Sequence, residues 1–205
     1  IATGTGHTAL AFAPHVAFVA GLDLTAGMIV PATALAAERG ATNVAFTVGD
    51  VEELPFDDAT FDAVSCRIAP HHFPDIGRFL AEATRVLRPG GTLVLNLAAY
   101  QWMLSYHDVA VGQVKRFTKR EAKALLREAG FEVEQATYWN TLLFPLMAIR
   151  RKLWPAPEAS DVAPFNTVVD KVFGACLTLE RKLISFGAAL PFGGSVLLVA
   201  RRPHA

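Results

Sequence analysis

The sequence predicts a doubly wound α/β domain: a mostly parallel Rossmann-like sheet with helices on both faces. Three observations predict it. Short β-branched or apolar runs alternate with helical stretches from Ile1 to about Leu97, a glycine-rich turn opens the first helix, and two successive strand patterns each end at an aspartate. Parallel strands need right-handed crossovers, and the connections between these runs are short enough to make them.

Taken in order, Thr3-Gly4-Thr5-Gly6 opens a helix over 7–13, and the apolar run 16–22 reads as a strand buried on both faces, ending at Asp23. The Ala-rich stretch 25–39 is helical despite Pro31, Gly40 stops it, and 44–48 forms the next strand, closing on Gly49-Asp50. A strand over 61–66 follows. Residues 76–87 carry Phe79, Leu80, Ala83, Val86 and Leu87 at helical spacing, Pro89-Gly90-Gly91 ends that helix, and 92–97 returns as a strand. Beyond Ala98 the texture changes: a basic helix over 119–129, a strand over 131–134, and an apolar stretch over 138–154 ending in Arg150-Arg151-Lys152. A Pro/Ala/Ser loop over 155–164, a helix over 166–185 and a strand over 195–200, suited to a sheet edge, complete the chain. The division is a core over 1–97 and a second region over 98–205 that carries the final strands.

The 205 residues balance 19 Lys+Arg against 19 Asp+Glu, which excludes the strongly basic domain of a dedicated nucleic-acid binder. Residues 1–110 hold 11 acids and 5 bases and residues 111–205 hold 8 and 14, so the two regions face different partners. Cys66 and Cys176 lack metal-ligand or Cys-x-x-Cys spacing, no metal site is expected, and a reducing cytoplasmic setting is the expectation. No run reaches 18 apolar residues, and the first residues lack the basic start of a secretory signal.

The chemistry gathers at the strand ends. Gly4-x-Gly6-x-x-Ala9 followed by Asp23 fits the dinucleotide-type fingerprint, in which glycines admit a ligand to the backbone and the acid bonds ribose hydroxyls. The alternative is a turn whose glycines serve packing. Asp50 supplies a second carboxylate at the next strand end, suited to an adenine amino group or else to capping a helix begun at Val51.

Ala2-Thr3-Gly4-Thr5-Gly6, Gly21-Leu22-Asp23, Gly49-Asp50 with Leu54-Pro55-Phe56, Phe61-Asp62-Ala63-Val64, His71-His72-Phe73 and Arg85-Val86-Leu87-Arg88-Pro89-Gly90-Gly91 together resemble the class I S-adenosylmethionine-dependent methyltransferases. They look most like the ubiquinone and menaquinone biosynthesis branch. The resemblance covers residues 1 to about 96. It implies S-adenosylmethionine as cofactor and S-adenosylhomocysteine as product, with Gly4 and Gly6 at the methionine part and Ala2 and Thr3 of the same turn among the cofactor-binding residues. It implies Asp23 at the ribose, Leu24 and Met28 at the adenine face, Asp50 and the Val51 amide at the adenine edge, and Arg67 beside the donor. The chain departs from the family at Ala2, where Gly is usual. The family also has a first strand in mid-sheet just before the equivalent of Ile1, so that strand is expected to be missing from the chain. Ser105-Tyr106-His107-Asp108, Arg116-Phe117-Thr118 and 125–133 look like the acceptor side of bacterial methyltransferases found with cell-envelope and glycosyl-lipid enzymes, with a seam near Asn96.

The resemblance makes 98–205 an acceptor-side cap and the reaction a C- or O-methylation of a small or lipid-like acceptor, and the basic tilt of that region suits an acidic one. In-line displacement from a sulfonium needs positioning and desolvation, with a general base where the acceptor must lose a proton. The candidates are His72 first, then His71, Tyr106 and His107, each histidine having a turn-stabilising role as its alternative. Residues 138–154 suit a lid over an apolar acceptor, an interfacial contact with anionic lipid, or a core-facing helix with a solvated basic end. Two other functions fit part of the pattern: an NAD(P)-dependent oxidoreductase, which does not account for the rest of the ladder and whose Tyr-x-x-x-Lys this chain lacks, and a non-catalytic module of the same fold.

Overall fold

A computed structural model describes residues 1–67, 69–70, 73–104, 115–153 and 167–204. The chain divides into two compact units, one formed by 1–94 with 201–205 and the other by 95–200.

The first unit opens on the turn 2–6 and the short helix α1 (His7–Phe12), prolonged by a 3₁₀ turn over Ala13–His15. Strand β1 (Val19–Asp23) pairs in parallel with β2 (Val44–Val48), Val19 lying opposite Val44 and Asp23 opposite Val48. The strand predicted from 16 begins at 19 because the Asn43 amide donates to the Ala13 and Val16 carbonyls, at 2.9 and 3.0 Å, and holds that backbone in a turn. Helix α2 (Ala26–Glu38) makes the crossover; Ala32 and Ala36 are its buried residues, and their small side chains let it lie close to the strands. Pro31 sits inside it, costing one backbone bond toward Gly27.

Strand β3 (Phe61–Arg67) leads to helix α3 (Ile76–Val86), whose N-terminus Asp75 caps by accepting from the Gly77 and Arg78 amides at 2.8 and 3.1 Å. Phe79, Leu80, Ala83 and Val86 form its fully buried stripe. The turn predicted at 89–91 is instead part of β4 (Leu87–Ala98). The ladder runs through the glycines, since Gly90 N–H donates to the Arg202 carbonyl at 2.9 Å and Arg202 N–H to the Gly91 carbonyl at 2.8 Å. Gly90 has φ +77°, a left-handed backbone conformation that favours glycine. The Arg202 guanidinium donates to the carbonyls of Thr84, at 2.8 Å, and Leu87, satisfying the end of α3.

In the second unit α4 (Lys119–Glu128) begins with a capping box, Thr118 and Glu121 bonding each other's backbone amides. Strand β5 (Glu132–Trp139) runs five residues beyond the predicted strand and takes in Tyr138 and Trp139, so the apolar helix α5 spans only Phe144–Leu153. Helix α6 (Thr167–Ser185) and strand β6 (Ser195–Arg201) follow. The sheet order is β3-β4-β6-β5, which puts β6 between two neighbours rather than at an edge. Buried Val196, Leu198 and Ala200 suit that position. Ala99 bonds Gly194 while Gly90 and Gly91 bond Arg202, so β6 runs antiparallel to β4 within an otherwise doubly wound arrangement.

β1 and β2 form a separate two-stranded sheet, and residues 1–3 occupy the interval toward β3, where the family's first strand was expected. The Ile1 nitrogen donates to the Ser65 carbonyl and the Thr3 amide to the Leu22 carbonyl, both at 2.9 Å. Among the described residues no helix is long and apolar enough to cross a membrane.

Candidate functional site

In the first unit the parallel register sets the ends of β1 and β2 side by side, and the Asp23 carbonyl accepts from the Gly49 amide at 3.0 Å. Asp23 and Gly49-Asp50 therefore share one rim, at the carboxyl ends of the strands where ligands of open α/β sheets bind. The Asp23 carboxylate is the organising group. Its Oδ2 accepts from the Gly4 amide at 2.7 Å and its Oδ1 from the Thr25 amide at 3.0 Å, which ties the glycine turn to the strand end and leaves each oxygen a free lone pair.

The glycines of the turn divide into two kinds. At Gly4, φ is +52° and nothing lies within 4 Å of a built Cβ, so the backbone faces open space. At Gly6, φ is +83° and a Cβ would come 2.8 Å from the Phe46 ring and 3.1 Å from Ala32. Gly6 is thus a packing glycine. Ala2 also takes positive φ, +49°, the conformation that explains glycine as the family's usual choice there. Thr3 closes the turn, its carbonyl accepting from the Gly6 amide at 3.0 Å.

Beyond Asp23, Leu24 and Met28 are 67% and 42% exposed, a large apolar pair open to solvent beside a carboxylate. Asp50 is exposed and its Oδ1 accepts from the Glu52 amide at 2.9 Å, while Val51 is buried; the aspartate caps a turn there, and no helix begins at Val51. Arg67 lies beside Ile1, Ala2, Thr3, Phe12 and Gly21 around a cavity of about 50 Å³, too small for a nucleoside. An open rim with free carboxylate lone pairs, exposed apolar side chains and an unobstructed glycine fits an adenosine group. Behind it, burial pushes the Cys66 thiol up to about 12, which keeps it protonated and inert.

The ladder motifs prove to be scaffolding. The Arg85 guanidinium donates to the carbonyls of Phe56 and Leu54 at 2.7 and 2.9 Å and to both oxygens of Glu82, whose Oε2 accepts the Leu54 amide at 2.7 Å. Arg88 reaches Asp62 at 2.7 Å. Arg85 and Glu82 of α3 thus fix Leu54-Pro55-Phe56 in place. The Arg85 bond also holds the Glu82 carboxyl below its ordinary range.

His71, His72, Tyr106 and His107 lie outside the described residues. Within the second unit, Tyr138 and Phe144 of the apolar stretch 138–154 meet Tyr100, Trp102 and Phe192, which the sequence did not single out. Tyr100 stacks on Tyr138 at 5.2 Å, and Trp102 and Phe144 lie 5.9 and 5.5 Å from its ring, with Phe192 a further 5.9 Å from Phe144. Tyr100 holds φ +59°, a costly conformation for a bulky side chain, and follows directly on the end of β4. Burial, then its hydrogen bond with the Tyr138 phenol, pushes the Tyr100 phenol well above its ordinary value. The signal was a cluster of aromatics just after a strand end, but Phe192 is remote in sequence.

Residues 1–95 match the methyltransferase domain family. The uncharacterized methyltransferase YcgJ of Bacillus subtilis is 45% identical over 194 residues, covering 88% of this chain and 76% of the relative. The ubiquinone/menaquinone biosynthesis C-methyltransferase UbiE of Brucella anthropi is 30% identical over 164 residues, covering 64% of this chain; the match spans 62% of that enzyme. A methyltransferase-fold crystal structure from Bacillus halodurans superposes with a TM-score of 0.67 and 29% identity, over 98% of this chain and 90% of that one. These matches do not favour the nicotinamide or non-catalytic readings. The chain belongs to the class I S-adenosylmethionine-dependent methyltransferases, and S-adenosylmethionine is its methyl donor.

Proposed function

We propose that the chain methylates a small or lipid-like acceptor at carbon or oxygen, with the donor on the β1–β2 rim of the first unit and the acceptor on residues 98–205. The observation that carries the acceptor class is the aromatic group of Tyr100, Trp102, Tyr138, Phe144 and Phe192, with Trp102 and Phe192 open to solvent. Such a wall suits a flat or greasy molecule. The C-methyltransferase relative of quinone biosynthesis points the same way.

Asp23 would hold the ribose hydroxyls through its free lone pairs, Leu24 and Met28 would cover the adenine, and Asp50 with the Val51 amide would take its edge. The Gly4 backbone would lie against the methionine part, with Ala2, Thr3 and Gly6 shaping the turn and Arg67 beside it. Bound S-adenosylmethionine supplies a methyl group on a sulfonium leaving group, so these residues need only position it and exclude water. His72, His71, Tyr106 and His107 remain the proposed bases for an acceptor that must lose a proton.

Leu142, Leu146 and Ile149 are exposed ahead of Arg150-Arg151-Lys152, and this supports a peripheral lipid contact through 138–154 by which a lipid-borne acceptor would arrive. The test is transfer of a tritiated methyl group from S-adenosylmethionine to paired phenolic acceptors with and without a long alkyl chain. Transfer favouring the alkylated member is expected; transfer confined to polar acceptors overturns the reading.

A further inference from the structure

Helix α6 has two apolar faces, and the described residues of its unit cover only one. Phe173, Leu177, Glu180 and Ile184, spaced four, three and four residues apart, are half-buried or buried. Glu180 is 1% exposed and its Oε1 accepts the Leu142 amide at 2.7 Å, which fixes this face inward. The adjoining face carries Val169, Val172, Cys176, Leu179, Leu183 and Phe186, spaced three, four, three, four and three. All but the half-buried Cys176 are exposed, Phe186 by 89%. The Phe186 amide still donates to the Lys182 carbonyl at 3.0 Å, so the stripe is helical to its end.

Alternating three and four averages 3.5, the spacing of a narrow seam that a second helix fills knob into hole, whereas a lipid surface asks for a broad apolar face. The order of side-chain sizes then selects the partner. The spacing is the same read from either end, so the stripe can be laid antiparallel on itself. Val169 then meets Phe186 of the second copy, Val172 meets Leu183, and Cys176 meets Leu179. Each layer sets a small side chain against a large one, the condition for close packing. Parallel pairing would put Phe186 on Phe186 and Val169 on Val169, crowded at one end and hollow at the other. The seam is roughly 25 Å long and would bury on the order of 1,000 Å² in all, enough for a specific interface.

We propose that α6 pairs antiparallel with α6 of a second copy of this chain, forming a two-fold dimer sealed by this stripe. In that dimer the two Cys176 side chains flank the axis in adjacent layers, within reach of a short bismaleimide, and buried Cys66 does not compete.

The experiment is sedimentation velocity of the wild-type chain and of Leu179→Glu at micromolar concentration, with bismaleimide treatment of the wild type. The expected result is a dimeric wild type cross-linked through Cys176, and a monomeric variant with unchanged circular dichroism. A monomeric wild type overturns the proposal, as does a dimer that survives Leu179→Glu. So does a dimer without the Cys176 cross-link, which would exclude the antiparallel register. A wild-type monomer that sediments with phosphatidylglycerol vesicles, while Leu179→Glu does not, would assign the face to lipid instead. Should the variant not fold, the wild-type mass and cross-link decide alone.

Discussion

Asp23 holds the glycine turn by two backbone amides and keeps a lone pair free on each oxygen, so its removal acts on the turn and the ligand together. Asp23→Ala is expected to weaken S-adenosylhomocysteine binding by about 1–3 kcal/mol, the range for donors left unpaired, in a chain that still folds. Calorimetric titration checks it, and unchanged affinity would remove Asp23 from the site. The two turn glycines give a sharper contrast. Gly6→Ala meets Phe46 at 2.8 Å with φ +83°, and is expected to cost about 2–4 kcal/mol of stability, read in denaturant melts. Gly4→Ala meets no neighbour, so it should cost only about 1–2 kcal/mol from its left-handed backbone while still lowering donor affinity. Equal destabilisation by both would refute the assignment of Gly6 to packing and Gly4 to the ligand. From the sequence these two residues look alike, because a Gly-x-Gly pattern records that a Cβ is excluded but not by what. Asp23 was legible for a physical reason: a carboxylate closing an apolar strand needs partners or a cleft.

Arg85 shows how an element can be fixed from a distance. It binds the carbonyls of Leu54 and Phe56 and shares Glu82 with the Leu54 amide, so the loop entering β3 is held by α3. Arg85→Ala is expected to cost about 1–3 kcal/mol by orphaning those groups, measured as a lower denaturation midpoint with little change in m. Carboxyl groups on α3 and in the α4 cap add a pH dependence. Glu82, through its Arg85 bond, and Glu121, through the Thr118 amide, both sit below their unfolded values in the native state. Each therefore stabilises the fold above the ordinary carboxylate range, and that stability is lost as pH falls through it toward the lowered native values. Glu82→Gln should flatten the acid limb of the stability curve, and an unaltered limb would show that the carboxylate adds nothing. Among the elements, 44–48, α3, α4 and α6 were legible to within a residue or so, from clean periodicity and from helix-stop and cap residues. The end of β5 was not, because Thr137, Tyr138 and Trp139 lose the alternation that marks Glu132 to Glu134 and read as the start of a helix. The placement of β6 was equally hidden: an apolar run specifies a buried strand, not which neighbours bury it.

At the scale of the molecule, the two units are proposed to take different ligands, and the charge balance of the sequence already hinted at it. The first unit holds Asp23, Gly4 and the exposed Leu24 and Met28; the second holds Tyr100, whose strained backbone carries an aromatic wall and whose phenol stays protonated. Side chains acting on one ligand alone change one constant alone. Trp102→Ala is therefore expected to raise the acceptor KM several-fold while leaving S-adenosylhomocysteine affinity at the wild-type value, since it removes uniform binding of the acceptor. Asp23→Ala should do the reverse. Tyr100→Phe keeps the ring and loses only the phenol, so the pH profile of transfer should stay that of the wild type. A shifted profile would make Tyr100 a proton-transfer group in spite of its raised value. Steady-state kinetics on an alkylated phenol that accepts the methyl group, alongside titration of S-adenosylhomocysteine, separates these outcomes. Loss of donor affinity in Trp102→Ala would instead mean that the two regions do not divide the ligands, and that the aromatic wall belongs to the donor.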